Sequence, residues 1–320
     1  MTGKTTRWLI TAVLLMIVGC ILFVGVMFSM QWDFSKLSTV KYETNSYNIK
    51  DPVKNIHIIT NTADVVLVPS EDGSVSVSCY EPVNQKHAIS VDKGTLSVQW
   101  TDTREWYEHI GVNFATPKLI VYLPGGELGS LTIEGSTGDI EIPRGFSFAD
   151  MHIAVSTGDV ISHASTTGEM NIHASTGDVV ISNVSAANLD LAVSTGQITV
   201  SDVTCAGDVS VRVSTGKSEF ANVKCGNLIS NGNTGGITLK EVLASDTMTI
   251  VRSTGDVRMQ DCDAAEIFIK TDTGSVKGSL LTEKVFIVES DTGHVDVPKT
   301  VAGGRCVITT DTGDVILTIQ

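Results

Sequence analysis

Aromatic residues make up only 6% of this 320-residue chain, and proline and cysteine are rarer, at seven and six. Basic residues are also scarce: 22 Lys and Arg stand against 36 Asp and Glu, a formal charge of −14. Phosphate recognition needs a basic face, so this balance excludes nucleic acid as a main partner and disfavours a bare anionic lipid surface. Five cysteines follow residue 31 (Cys79, Cys205, Cys225, Cys262 and Cys306), an odd number that argues against a disulfide framework. No nucleophile elbow, phosphate loop, zinc-ligand spacing or kinase signature occurs, and no motif calls for a cofactor. What is plentiful is aliphatic material: 42% of residues are hydrophobic, enough for a core and too much for disorder.

Residues 1–7 carry Lys4 and Arg7 and no acid, and residues 8–31 are almost wholly apolar. From Trp8 to Met30 only Thr11 and Ser29 have polar side chains. A helix of that length spans about 34 Å, enough to cross a bilayer core. Trp8 and Trp32 would sit at the two interfaces, and the cations before the span predict a cytoplasmic tail of residues 1–7 with the rest of the chain outside. A cleaved signal peptide fits less well, because the run is long and ends in Val26-Met27-Phe28. Lipidation at Cys20 fits less well too, because Ile21 to Val24 continue the apolar run. Residues 32–52 read as a polar juxtamembrane tether.

The chain then repeats itself. Thr-Gly recurs with glycine at 138, 158, 177, 196, 216, 235, 255, 274, 293 and 313, always 19 or 20 residues apart. Seven and five residues before that glycine stand apolar pairs such as Met151/Ile153, Leu189/Leu191 and Ile267/Ile269, with Leu228/Ser230 and Cys306/Ile308 as exceptions. Two residues after it the column reads Ile140, Val160, Val179, Ile198, Ser218, Ile237, Val257, Val276, Val295 and Val315. Alternation of period two on both sides of a glycine is the mark of two short strands joined by a turn. One such pair cannot bury its apolar face, but stacked pairs can. The expected fold is therefore all-β: a β-solenoid of about ten 19–20-residue coils over residues 129–320, resembling a single-stranded parallel β-helix, flattened, and preceded by one N-terminal transmembrane helix. At the usual strand spacing ten coils make a rod of roughly 48 Å.

Residues 53–128 repeat the pattern weakly. Ile56, Ile58, Ala63, Val65 and Leu67 mimic one coil, and Asp92-Lys93-Gly94 marks a hairpin. This segment is expected to be an N-terminal β cap with a degenerate first coil, covering a sheet edge that would otherwise be open. The chain ends within a strand pattern, Val315 to Gln320, which predicts an uncovered edge at the far end.

The residues Thr62-Ala63-Asp64-Val65, the strand end Val121-Tyr122-Leu123-Pro124, and the Ser-Thr-Gly-Asp-Val ladder at 136–140, 156–160 and 175–179 resemble the putative-adhesin family of bacterial β-strand-repeat proteins, domain of unknown function 4097. The resemblance covers about residues 53–320. It implies a bacterial surface β-solenoid, often anchored by one helix and linked to envelope functions, and it brings no catalytic residues.

Several residue sets are candidates for chemistry. Asp139, Asp159, Asp178, Asp256 and Asp314 follow the glycine, while Asp272, Asp291 and Asp311 stand two before it. The last three are weak candidates for Ca²⁺, which needs six to eight oxygens; turn hydrogen bonding is the plainer role for the whole set. The threonine preceding each glycine forms a regular row best explained as a turn ladder. His152, His163 and His173 fall in neighbouring coils but in different columns, so they should not share a metal. Cys205 and Cys225 share one column with Ala186 and Ala244, and are candidates for a disulfide as well as for buried thiols. Trp100, Trp106, Tyr107 and Phe114 lie in an irregular stretch and offer a ligand surface, for instance for sugar rings, or else fill the cap.

The uniform coils carry no insertions that could build a cleft, which argues against an enzyme. The reading is a membrane-anchored extracytoplasmic β-solenoid of the cell membrane, a non-catalytic adhesin or surface scaffold of the bacterial envelope. Its expected partners are the membrane through one helix, and cell-wall glycan or an envelope protein. Alternatives are a partner or sensor subunit of an envelope-stress or transport module, and a carbohydrate-active β-helix enzyme.

Overall fold

The structure is a computed structural model that describes residues 3–33, 40–106 and 115–320. One helix, Gly3–Ser29, precedes an all-β solenoid of about ten turns. Within its Arg7–Ser29 stretch an 18-residue window reaches a mean hydropathy of 2.9, and the stretch is long and apolar enough to cross a membrane. The two hydroxyl groups of the Arg7–Ser29 stretch are satisfied within the helix: Thr11 Oγ1 donates to the carbonyl of Arg7 and Ser29 Oγ to that of Val26. Such internal satisfaction is what a lipid environment requires.

The solenoid is flattened into two fourteen-stranded sheets that face each other across an aliphatic core. Most coils give one strand to each sheet, and the strands of the repeat region pair in parallel with like residues in register. In one sheet Ile153, Ile172, Leu191 and Val211 form a continuous file; in the other Val160, Val179 and Ile198 do. All seven are fully or almost fully buried. Parallel strands covered on their inner faces by a common core explain the β-branched composition.

The Thr-Gly corners are tighter than a turn preference alone requires. Gly196 has φ 145° and its N–H donates to the carbonyl of Thr215 one coil on. A Cβ placed there would lie 2.0 Å from the carbonyl oxygen of Gly177 in the preceding coil. The coils stack so closely at this corner that no side chain fits between them. The aspartates that follow the glycines tie the coils together: Asp139 Oδ1 accepts from the N–H of Asp159, Asp159 Oδ1 from Asp178, and Asp178 Oδ1 from Gln197, at 2.9, 2.8 and 2.7 Å. A second polar file, Asn188, Asp208 and Asn227, does the same at another corner, accepting from the backbone of residues 208, 227 and 247.

A third file is a backbone feature. Asn183, Asp202, Asn222, Glu241 and Asp261 all have φ between 52° and 59°. Each interrupts a strand: Ser182 pairs with Ser201 and Val184 with Val203, leaving Asn183 and Asp202 out of the ladder. Asn and Asp tolerate this left-handed conformation best among residues with a side chain.

The cap differs from its sequence reading in one respect. Residues 42–49, expected within the tether of residues 32–52, form a strand, Tyr42–Ile49, antiparallel to Val75–Pro82. Only Tyr47 and Ile49 on its inner side pack against the core, too few for a clear alternation. Val75–Pro82 is in turn antiparallel to Lys118–Pro124. In the opposite sheet Gln85–Asp92 and Thr95–Asp102 form the expected hairpin, with Lys93 and Gly94 at φ 48° and 79°. Asn55–Thr60 and Asp64–Ser70 make the first coil and pair in parallel with the strands that open the rod.

The far end corrects the expectation that the C-terminus is an open edge. The last coil, Gly304–Thr312 and Val315–Ile319, does not lie at the tip. Gly304–Thr312 sits between Glu266–Thr273 and Lys284–Thr292, and Val315–Ile319 between Val276–Leu280 and Val295–Asp296. The coil of residues 284–296 therefore forms the tip, although it precedes the last coil in sequence. Burial follows this order: Val315 is fully buried, whereas Val295 is 41% exposed. Lys284 turns inward on the edge strand and is buried, its Nζ 2.7 Å from Asp263. An inward charge is a known way of discouraging further strand addition.

Candidate functional surface

The side chains that alternate away from the core make the outer faces of the sheets. On one of them Ser136, Ser156, Ser175, Ser194 and Ser214 form an exposed hydroxyl file two residues before the corner glycine. Beside it, four residues before the glycine, stand Glu134, Ala154, His173, Ala192 and Arg212. The alanines leave hollows between larger neighbours, and the result is a groove of about 650 Å³ running from Ile59 in the first coil to Ser214. Next to the groove, Arg212 donates to Asp190 at 2.8 Å and His173 Nε2 lies 3.7 Å from the same carboxylate. Partial burial pushes the Asp190 pKa up, but the hydrogen bonds of Arg212 and Ser210 outweigh it and hold the acid below its ordinary range.

The histidines are arranged partly as expected. His152 and His173 do not share a column, but they are diagonal neighbours whose rings meet edge to face at 6.4 Å. His163 turns away to Ser182, with Nδ1 2.8 Å from its Oγ.

Asp272, Asp291 and Asp311 stack in consecutive coils, in the spatial order Asp272, Asp311, Asp291, because the last two coils exchange places. The hydroxyls just before them, of Thr271, Thr310 and Ser290, donate to the carbonyls of Gly255, Gly274 and Gly313. Cys205 and Cys225 end neighbouring strands as free, buried thiols in a column with Ala186 and Ala244. Burial raises their pKa values to about 11 and about 12.

Of the aromatic candidates, Trp106 is 78% exposed, whereas Trp100 is half-buried on Thr95–Asp102 and lines a small cavity with Glu81 and His87. Tyr107 and Phe114 lie outside the described residues.

That cavity borders a cluster the sequence reading passed over. Cys79 and Glu81 occupy inward positions of Val75–Pro82, following Val75 and Val77 in strict alternation, and His87 returns on the next strand. Glu81 Oε2 accepts from the N–H of His87 at 2.8 Å and lies 2.8 Å from its Nδ1, while Oε1 accepts from Asn45 at 3.0 Å. Nε2 of His87 is 3.1 Å from Thr60 Oγ1. Burial pushes the Glu81 pKa up, but the His87 and Asn45 hydrogen bonds prevail and hold the carboxyl below its usual range. Burial, reinforced by the Glu81 charge, pushes the Cys79 thiol up to about 12. An acid at the inward parity of an apolar strand is the signal that could have revealed the cluster.

The Toastrack DUF4097 family matches residues 53–211 and again residues 206–320. No curated protein matches the chain. Among solved structures, the chain is similar to a putative adhesin from Bacteroides fragilis, with 17% identity, a TM-score of 0.42, and coverage of 87% of this chain and 97% of that one. It is also similar to a putative adhesin from Parabacteroides distasonis, with 11% identity, a TM-score of 0.49, and coverage of 85% and 98%.

Proposed function

The chain belongs to the Toastrack family, and on that footing we propose that it is a membrane-anchored, extracytoplasmic adhesin or surface scaffold of the bacterial cell envelope, and not an enzyme. The observation that carries this reading is the unbroken stack. Its coils keep a 19–20-residue length without inserted loops, so side chains are presented on open outer faces, where a groove of about 650 Å³ runs across several coils. A rod of this kind displays repeated side chains along its length, which suits contact with an extended partner. The N-terminal helix, long and apolar enough to span a bilayer, would hold the rod at the membrane with residues 1–7 inside. The outer groove and the region of Trp100, Trp106 and Tyr107 are the surfaces proposed for cell-wall glycan or an envelope protein.

The test is co-sedimentation of the full-length protein, in detergent or nanodiscs, with whole cells and with purified peptidoglycan. Saturable binding is expected. Absence of binding to both would overturn the adhesin reading. A chain whose cellular role vanishes when the helix is exchanged for an unrelated span would instead be a partner subunit acting through that helix. Release of new reducing ends from the glycan would make it an enzyme.

A further inference from the structure

We propose that Cys79, Glu81 and His87 form a binding site in the cap for one borderline-soft divalent metal ion of the zinc class. One potential ligand atom from each residue lies within 4.8 Å of the other two, and this is the one such group among the described residues. The three are 0%, 1% and 4% exposed.

The donor set carries the identity of the ion. A thiolate, an imidazole and a carboxylate together suit Zn²⁺ and its neighbours in the first transition row. They do not suit Ca²⁺ or Mg²⁺, which take oxygen ligands. Placing three ionisable groups at inward positions, where Val75 and Val77 of the same strand are aliphatic, carries a desolvation cost that a bound cation would offset. Charge also balances: a divalent ion against one thiolate and one carboxylate leaves the buried site neutral.

The surrounding residues are arranged as supports for such ligands. A metal-bound histidine usually donates its other ring N–H to a fixed acceptor. Here Thr60 Oγ1 stands 3.1 Å from Nε2 of His87, and Asn45 holds the other oxygen of Glu81 at 3.0 Å. Coordination through Nδ1 requires the ring N–H to be on Nε2, where it donates to Thr60 Oγ1. Cys79 gives its thiol proton to solvent, and no electron is transferred. Three protein ligands leave one tetrahedral position for water, and the small cavity beside Glu81, His87 and Trp100 gives it a place.

The experiment uses the full-length chain purified in detergent, stripped with a chelator and titrated with Co²⁺ as a spectroscopic substitute for Zn²⁺. One equivalent should produce a thiolate-to-cobalt charge-transfer band that Zn²⁺ abolishes. Cys79→Ser should remove the band, Thr60→Val should weaken binding about tenfold, and Cys306→Ser, at another buried thiol, should change neither. Absence of the band in the wild-type chain, or its survival in Cys79→Ser, would overturn the proposal. If Cys79→Ser does not fold, His87→Gln decides with the thiol intact: stoichiometric Co²⁺ binding unchanged from wild type would overturn the site.

Discussion

Nη2 of Arg252 donates a 2.8 Å hydrogen bond to Oγ of Ser230, inside the rod. The same nitrogen donates to Ser218 in the opposite sheet at 3.2 Å, and Nη1 donates to the carbonyl of Val251. Arg252 is 2% exposed, and a Cβ on its ladder partner Gly232 would lie 2.5 Å from Nη1. Ser218, Ser230 and Gly232 are thus three places where small or polar residues replace larger ones, and all three accommodate one guanidinium. Burial lowers the Arg252 pKa to about 10.

Hydrogen bonds to a charged donor are worth about 1.5–3 kcal/mol each. Ser230→Ala should therefore cost about that much in urea unfolding, far more than a surface serine. Replacing the set together, Arg252→Met with Ser218→Val and Ser230→Ile, should leave the rod at least as stable as wild type, because buried charges often stabilise less than well-packed apolar residues. A neutral Ser230→Ala would show that the hydroxyl does not support the cation.

How much of this was legible beforehand depends on the kind of information. The 19–20-residue period and the two-residue alternation around each Thr-Gly encode the coils directly, because each inner position sees the same neighbours in every turn. Ser218 and Ser230 were visible as breaks in that pattern, but their partner is an arginine further along the chain, and nothing local joins them. His87 and Glu81 were hidden because the cap's antiparallel strands do not follow the repeat. The order of the last two coils was hidden for the opposite reason: both carry the same Thr-Gly spacing, and spacing along the chain does not record which lies outermost.

Two glycines with positive φ separate backbone conformation from stacking. Gly73 has φ 73° and open space for 4 Å around the position a Cβ would take, whereas Gly196 has φ 145° and its Cβ would meet the Gly177 carbonyl at 2.0 Å. Gly73→Ala should cost about 1–2 kcal/mol, the penalty of a left-handed residue. Gly196→Ala should exceed the roughly 1–3 kcal/mol of backbone strain alone, since two coils must part to admit it. Equal losses in chemical denaturation would show that the corners are ordinary turns.

Alkaline stability should report the buried thiols. Burial raises Cys225 and Cys306 to about 12 and Cys205 to about 11, from an ordinary value near 9. Above pH 9 the unfolded chain releases thiol protons that the folded chain retains, so stability is fully present below that pH and falls as pH rises through the folded values. Each thiol should contribute about 1.4 kcal/mol per pH unit between pH 9 and 11. Cys225→Ala, which copies its column neighbours Ala186 and Ala244, should flatten the pH dependence by one thiol's share. A Cys205–Cys225 disulfide in the native protein would instead remove two shares, together with two maleimide-reactive sites after denaturation. An unchanged slope in Cys225→Ala would show that this thiol is not protected by the fold.

The exchanged coils make the C-terminus a part of the interior stack. Deleting residues 304–320 would remove the middle rung at that end and leave the coil of residues 284–296 without either of its ladder partners, Gly304–Thr312 and Val315–Ile319. A strand pair without a stacked neighbour cannot bury its apolar face, so the loss should spread to residues 284–296 although none of them is deleted. By hydrogen exchange, the intact chain should protect Val315–Ile319 more strongly than Val295–Asp296, reversing the usual fraying toward a terminus. In the truncated chain the amides of residues 284–292 should exchange as freely as loops, while those of Glu266–Thr273 keep much of their protection through Thr247–Thr254 on their other side. Retained protection of residues 284–292 after truncation would mean that this coil can move down one rung and take the vacated slot.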